Sequence, residues 1–278
     1  MEVIKDEKFY GERPLFAIKH TRLENVTIVD GESGIKCCED LEATGCHFYG
    51  KYPWWHVKGS VIDHCYFAPE SRSAIWYSDD MKMSDCVIDG PKFFREMNNL
   101  QLHKVVINDA DETFWKVNGL KLTDGGTYPF MFCQNVEVDG LVSDAKYVFQ
   151  YVKNVVVRNA KITTKDAFWE VENVTIYDSE LNGEYLGWHS KHLRLVNCHI
   201  TGEQPLCYAQ DLVLENCTFG PDCDRMFEDS TLQADIRGAV INIKNPMSGR
   251  IVADAIGSVT IDEHIKSPAN CEIVIREK

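Results

Sequence analysis

One repeat constrains this chain more than any other feature. Between Asp166 and Ile200 the sequence restates itself at an interval of 19 residues: Trp169 maps to Trp188, Val174-Thr-Ile176 to Leu193-Arg-Leu195, Asp178 to Asn197 and Leu181 to Ile200. Each copy alternates apolar and polar residues, the pattern of a strand with one buried face. A strand unit this short cannot bury its apolar face alone, so a regular period of this kind predicts stacked coils of a β-solenoid.

Laying the chain over that repeat separates its residues into columns. The first residue of each apolar-x-apolar triplet serves as an anchor: Leu41, Met81, Leu100, Leu120, Val136, Val155, Val174, Leu193 and Leu212, with Val26 and Ser60 as weaker members. The anchor and the residue two further on face in, and the one between faces out. Asn or Asp stands just before the anchor (Asp80, Asn99, Asn135, Asn173) and again four after it (Asp85, Asp124, Asp178, Asn197). These residues tolerate left-handed backbone and predict the bends between short strands. One position later, Cys46, Cys65, Cys86, Cys198 and Cys217 share a column with Gly125 and Ala160, a tight inward site that a free thiol fills as a small hydrophobe. Six before the anchor, Trp54, Phe94, Phe114, Phe130, Phe149 and Phe168 predict an aromatic ladder in the core. Five before it, the column mixes Trp55, Trp76, Trp115, Trp169 and Trp188 with Arg95 and Gln150, as a solvent-facing row does.

Composition narrows the partners. A formal net charge of −14 and a pI near 5.1 argue against nucleic acid and anionic membrane, which need clustered Lys and Arg. The N-terminus, Met1-Glu-Val-Ile-Lys-Asp, is charged where a secretion signal needs an apolar core, and no apolar run is long enough to span a bilayer, so a cytoplasmic location is expected. The 11 cysteines are odd in number and include no CxxC pair, which predicts reduced thiols, no metal site and no cofactor.

The expected fold is all-β, a single-stranded right-handed parallel β-helix of roughly 19-residue coils forming one domain over residues 1–278. Residues 1–20 are expected as an N-terminal cap, 21–232 as regular coils and 233–278 as terminal coils with a C-terminal cap. The segments Gly11-Glu-Arg-Pro-Leu-Phe16, Lys51-Tyr-Pro-Trp-Trp55, Arg72-Ser-Ala-Ile-Trp-Tyr77 and Gly183-Glu-Tyr-Leu-Gly-Trp-His-Ser190 resemble a bacterial domain-of-unknown-function family, number 3737. The resemblance covers essentially the whole chain and implies a right-handed parallel β-helix of the pectate-lyase-like superfamily. It implies no chemistry, and no catalytic residue carries over.

Two functions from different classes fit the columns. One is binding or modification of an oligosaccharide along the outer aromatic face, since indole rings pack on sugars while polar neighbours take the hydroxyls. Its binding candidates are Trp55, Arg72, Trp76, Tyr77, Trp115, Trp169, Trp188 and His189. A hydrolase would need two nearby carboxylates, and Asp166 or Glu170 with Glu184 are the candidates, because they lie on consecutive coils. A lyase would instead need a base with cations to neutralise a uronate. The alternative is a non-catalytic scaffold whose aromatic face docks a protein partner or a second copy of the chain.

Overall fold

The computed structural model describes residues 1–123, 128–263 and 269–277. Asp124 and Gly125, assigned above to the bend and small-residue columns, lie outside them. The described residues form two compact units, Met1–Val138 and Asp139–Lys278. Both are parallel β-solenoids, with about 14 turns between them at roughly 19-residue spacing and no helix among the described residues.

The anchor strands pair in the register the repeat requires. In the second unit Val174 faces Leu193 and Ile176 faces Leu195 across strands Glu172–Tyr177 and Lys191–Val196. In the first unit Met81, Leu100 and Leu120 align on successive coils. A second, two-residue strand follows each bend, as in Tyr66–Phe67, which pairs with His47–Phe48 and Val87–Ile88.

Residues 1–20 are not a cap. Strand Glu2–Lys5 pairs residue for residue with Thr21–Glu24, and Lys8–Phe9 and Leu15–Phe16 pair with their counterparts one coil on, so this segment is itself the first coil. The reason it reads poorly is Thr21, the true anchor of the second coil: its register partner is Leu41, and its hydroxyl is satisfied by the carbonyl of Lys19 at 2.8 Å. Val26 belongs instead to the inward column shared with Cys46 and Cys65. A threonine that can bond its own main chain fills an anchor site as well as a leucine's methyls do, and apolar patterning overlooks it.

The remaining columns lie where the repeat puts them. Trp54, Phe94, Phe114, Phe130, Phe149 and Phe168 are fully buried, and the phenyl rings stack, Phe94 on Phe114 at 5.4 Å and Phe114 on Phe130 at 5.1 Å in the first unit, Phe149 on Phe168 at 5.1 Å in the second. The inward cysteines are buried free thiols. Burial raises Cys133 and Cys207 to about 12, which makes them inert packing groups.

Backbone conformation holds a surprise. Asn159, Asp166, Phe168, Glu170 and Asn173 all have φ between 49° and 57°, and the pattern recurs coil after coil. The Asn and Asp bends were expected; left-handed Phe, Glu and Tyr were not, since a Cβ makes that region unfavourable by roughly 1–2 kcal/mol per residue. Stacking over-determines them. The Asp166 and Glu170 N–H groups donate forward to the carbonyls of Glu184 and Trp188, while that of Phe168 donates back to Val148, at 2.9–3.0 Å. The consequence is a departure from strict alternation: Ala167 and Phe168 both face in, and Trp169 and Glu170 both face out. Each coil can therefore carry two adjacent outward rows.

Candidate functional site: the outer aromatic wall

Those two rows form a wall on each unit. In the first unit Trp55 stacks on Trp76 at 5.4 Å with planes 13° apart, and the Arg95 guanidinium lies 4.5 Å from the Trp76 ring and 5.1 Å from Trp115. Lys36 sits 5.6 Å over the other side of Trp55. Indole N–H groups of Trp55 and Trp76 donate to the carbonyls of Ser73 and Lys92 in the next coil, both at 2.6 Å. Glu112 holds Arg95 and Lys92, each at 3.0 Å. The neighbouring row adds His56 stacked on Tyr77 at 5.0 Å, and Arg72 stands 6.0 Å from the Tyr52 ring.

This geometry covers the indole faces in the first unit. In the first unit Trp55 and Trp76 turn them to each other, Arg95 covers the second face of Trp76, and what the wall offers to solvent there is ring edges.

The second unit ends differently. Trp169 and Trp188 stack at 5.5 Å, 29° apart, and Trp188 donates to the Gln204 carbonyl at 2.7 Å. One coil on, the column holds Cys207, which is buried, so no ring continues the stack. Tyr185 and Tyr208 flank Trp188 instead, tilted by 58° and 77° at 4.7 and 5.0 Å. His189 lies in the adjacent row, stacked on Tyr208 at 5.0 Å.

Of the three carboxylates singled out in the sequence, two come together. Asp166 and Glu184 occupy consecutive coils along one edge of the wall, joined by the Asp166 N–H to Glu184 carbonyl bond. Glu184 pairs with Lys165 at 3.3 Å, and Lys165 stands 5.2 Å from the Tyr185 ring. Burial pushes the Asp166 carboxyl above its ordinary range; Lys165 opposes that shift and Glu184 adds to it. Glu170 lies on the opposite side of the Trp169–Trp188 ladder, in the row of His189.

The sequence reading missed the far end of that row. Lys244 bonds Glu228 at 3.0 Å and Asp262 at 3.2 Å, and the Lys244 and Glu228 side chains are only 21% and 18% exposed. The hydrogen bond to Glu228, then that to Asp262, holds Lys244 above its usual range. The Tyr208 hydroxyl is raised by burial and then by Glu228. Tyr208 was visible as a column member, but Glu228 and Lys244 follow Leu212, where the period fades. Elsewhere, Asp63, His64 and Asp85 offer ligand atoms within 4.8 Å of one another, all near the surface. The Asp63 oxygens are already bonded to His64 at 2.7 Å and Ser84 at 2.6 Å.

A family model described as "Protein of unknown function (DUF3737)" matches residues 2–274, and the chain belongs to that family. No curated protein matches it. Among solved structures, it is similar to a mutant tailspike protein of E. coli bacteriophage HK620 in complex with pentasaccharide, at 10% identity and a TM-score of 0.36 over 93% of this chain. The chain spans 60% of that protein's length. It is also similar to the A-module of the Azotobacter vinelandii mannuronan C-5 epimerase AlgE4, at 8% identity and 0.35, covering 99% of this chain and 91% of that one. A third is the catalytic domain of a GH87 alpha-1,3-glucanase in complex with tetrasaccharides, at 9% and 0.25, covering 100% and 64%. Likenesses this distant carry no argument for the chemistry of this chain.

Proposed function

We propose that this member of the DUF3737 family binds an oligosaccharide on its outer wall, at the end of the Trp169–Trp188 ladder. The observation that carries the reading is the termination of the stack at Trp188: its outer side meets no further indole, and Tyr185 and Tyr208 stand at angles around it. A sugar ring packs its C–H face on such an indole while adjacent polar groups take its hydroxyls. Glu184, Lys165 and Gln204 are the adjacent polar groups. The hydrogen bond to Gln204 and the stack on Trp169 fix the ring before any ligand arrives, which lowers the ordering entropy of binding. In the first unit the Trp55, Trp76 and Trp115 rings serve as a buttress, with Arg72, Tyr77 and His56 on their rim.

Within this reading, cleavage is a further hypothesis. Asp166, whose proton is retained more readily through burial, takes the acid role, and Glu184, paired with Lys165, the base role. Glu170 contributes to neither.

The test is a panel of neutral and acidic oligosaccharides titrated with tryptophan fluorescence as the readout. Trp188→Ala is expected to abolish quenching while Trp76→Ala leaves it intact. No quenching by any sugar at millimolar concentration rejects the proposal. Asp166→Asn that releases product at the wild-type rate rejects the acid assignment alone. The exposed rings of Tyr77 and Phe132, 40% and 43% accessible, support a second reading, self-association through the first unit's wall. Sedimentation as a monomer at high concentration removes it.

A further inference from the structure

A second group of rings lies away from the aromatic wall, on the outward side of the two-residue strands of the first unit. His47 and Tyr49 flank the buried Phe48 on one coil, and Tyr66, the register partner of His47, stands on the next. We propose that His47, Tyr49 and Tyr66, together with the carboxylate of Asp89, bind a small quaternary ammonium cation of the choline class. The site is separate from the wall and independent of the reading given to it.

The first observation is the arrangement of the rings. Their centroids stand 6.4 Å (His47 to Tyr49), 5.9 Å (His47 to Tyr66) and 6.1 Å (Tyr49 to Tyr66) apart, close to an equilateral triangle. His47 and Tyr49 are within 15° of parallel, and Tyr66 is set across them at 61° and 69°. Rings crossed in this way make walls and not the flat platform on which a sugar packs. A cation seated over the centre of the triangle lies within about 6 Å of all three centroids, the range over which a ring quadrupole attracts it.

The second observation is the charge beside them. The Tyr66 hydroxyl donates to one oxygen of Asp89 at 2.7 Å, and Asn108 donates to the other at 2.6 Å. The coil between Tyr49 and Asp89 carries Ala68 in their column, so no long side chain obstructs that reach. The bond to Asp89, ahead of a smaller contribution from the Glu70 charge, raises the Tyr66 hydroxyl to about 12, which keeps the ring a neutral phenol next to two carboxylates. Among the described residues neither Asp89 nor Glu70 pairs with a lysine or arginine. The equivalent row of the second unit is answered internally, Lys161 by Glu180 at 3.4 Å and His199 by Thr218 at 2.8 Å. Rings with unbalanced negative charge are therefore a property of this place and not a demand of the coil.

The bonding of Asp89 selects the kind of cation. Each of its oxygens already accepts a hydrogen bond, so it supplies charge more than acceptor sites. A primary ammonium brings three N–H donors and a guanidinium five, and ring faces satisfy few of them. A quaternary ammonium has no donor to satisfy: its methyl groups pack on the rings while its charge meets the quadrupoles and Asp89. A betaine or a phosphocholine headgroup would bring its own anion towards Asp89 and Glu70, which favours the free cation.

Proton NMR titration of choline and tetramethylammonium with the full chain tests this, because N-methyl protons held over ring faces shift upfield. Both cations are expected to shift and saturate. Ethanolamine, glycine betaine and the neutral isostere in which carbon replaces the choline nitrogen are each expected to bind about fivefold more weakly or worse. Tyr49, with 38% of its surface exposed, can be changed without opening the core. Tyr49→Leu is expected to weaken choline binding about tenfold and Tyr49→Phe to retain it, so that the loss reads the ring and not the fold. Trp188→Ala is expected to leave the choline shift unchanged. The proposal is overturned if neither quaternary cation shifts, if the neutral isostere, ethanolamine or betaine binds as well as choline, or if Tyr49→Leu binds like wild type.

Discussion

Phe168 and Trp169 are chain neighbours, yet they belong to two ladders with different fates. The inner ladder is fully buried, with rings nearly parallel from coil to coil; the outer one is half-buried, and its Trp55, Trp76 and Trp188 indoles and Gln150 amide donate to carbonyls of the next coil. Both stack at the coil spacing. What separates them is where a ring's polar group is met: the outer indoles donate to main-chain carbonyls of the next coil, while the one indole of the inner ladder, Trp54, needs the Ser60 hydroxyl at 3.0 Å. Phenyl rings carry no such obligation and fill the core.

That difference predicts unequal responses to truncation. Phe114→Ala removes a ring packed between Phe94 and Phe130 and is expected to destabilise by about 3–5 kcal/mol in urea denaturation, well beyond Trp76→Ala. Equal losses would erase the distinction between the ladders. Next comes Gly187, which stands in the inner column with φ +69°, where a Cβ would lie 2.8 Å from a Leu206 methyl and 3.0 Å from one of Leu193. Gly187→Ala is expected to cost about 1–3 kcal/mol by overpacking and backbone strain; a stable variant would show that the inner ladder has room there. Smaller again is Arg95→Lys, which keeps the charge and loses the planar stack between Trp76 and Trp115, about 0.5–1 kcal/mol. No change on that substitution would reduce Arg95 to a surface charge.

The smallest effects are pH-dependent and opposite in sign. Asp89 accepts hydrogen bonds from Asn108 at 2.6 Å and Tyr66 at 2.7 Å, and these, Asn108 first, hold its carboxyl below the ordinary range. Its contribution is present above about pH 3.9 and lost as pH falls through the lowered value, so Asp89→Asn weakens the fold at pH 7 and converges on wild type in acid. Asp166 is raised by burial, so its charged form is the disfavoured one and the penalty grows as pH rises through the carboxylate range. Asp166→Asn is therefore expected to match or exceed wild-type stability at pH 7 and to lose that advantage below about pH 4. Parallel pH profiles for the two variants would contradict the burial assigned to Asp166.

The division between what was legible and what was not follows the physics of each column. Leu193, Leu195 and Phe168 announce themselves because burial demands apolar side chains at a fixed period, and Asn173 and Asn197 because Asn is among the few residues at ease in left-handed backbone. Thr21 hid an anchor behind a hydroxyl, which made the first coil look like a cap. Glu228 and Lys244 hid because the spacing loosens after Leu212 and an ion pair has no period of its own.

From the sequence alone came the all-β solenoid, its 19-residue register and the identity of the inner and outer rows, since these depend on which side chains can be buried. Whether an outer indole shows its face or its edge depends on its neighbours one coil above and below. Only stacking decided that Trp76 is sandwiched and Trp188 is terminal. The same holds for the left-handed Phe168 and Glu170, because each is set by hydrogen bonds and contacts to residues about 19 positions away, and no local propensity encodes them.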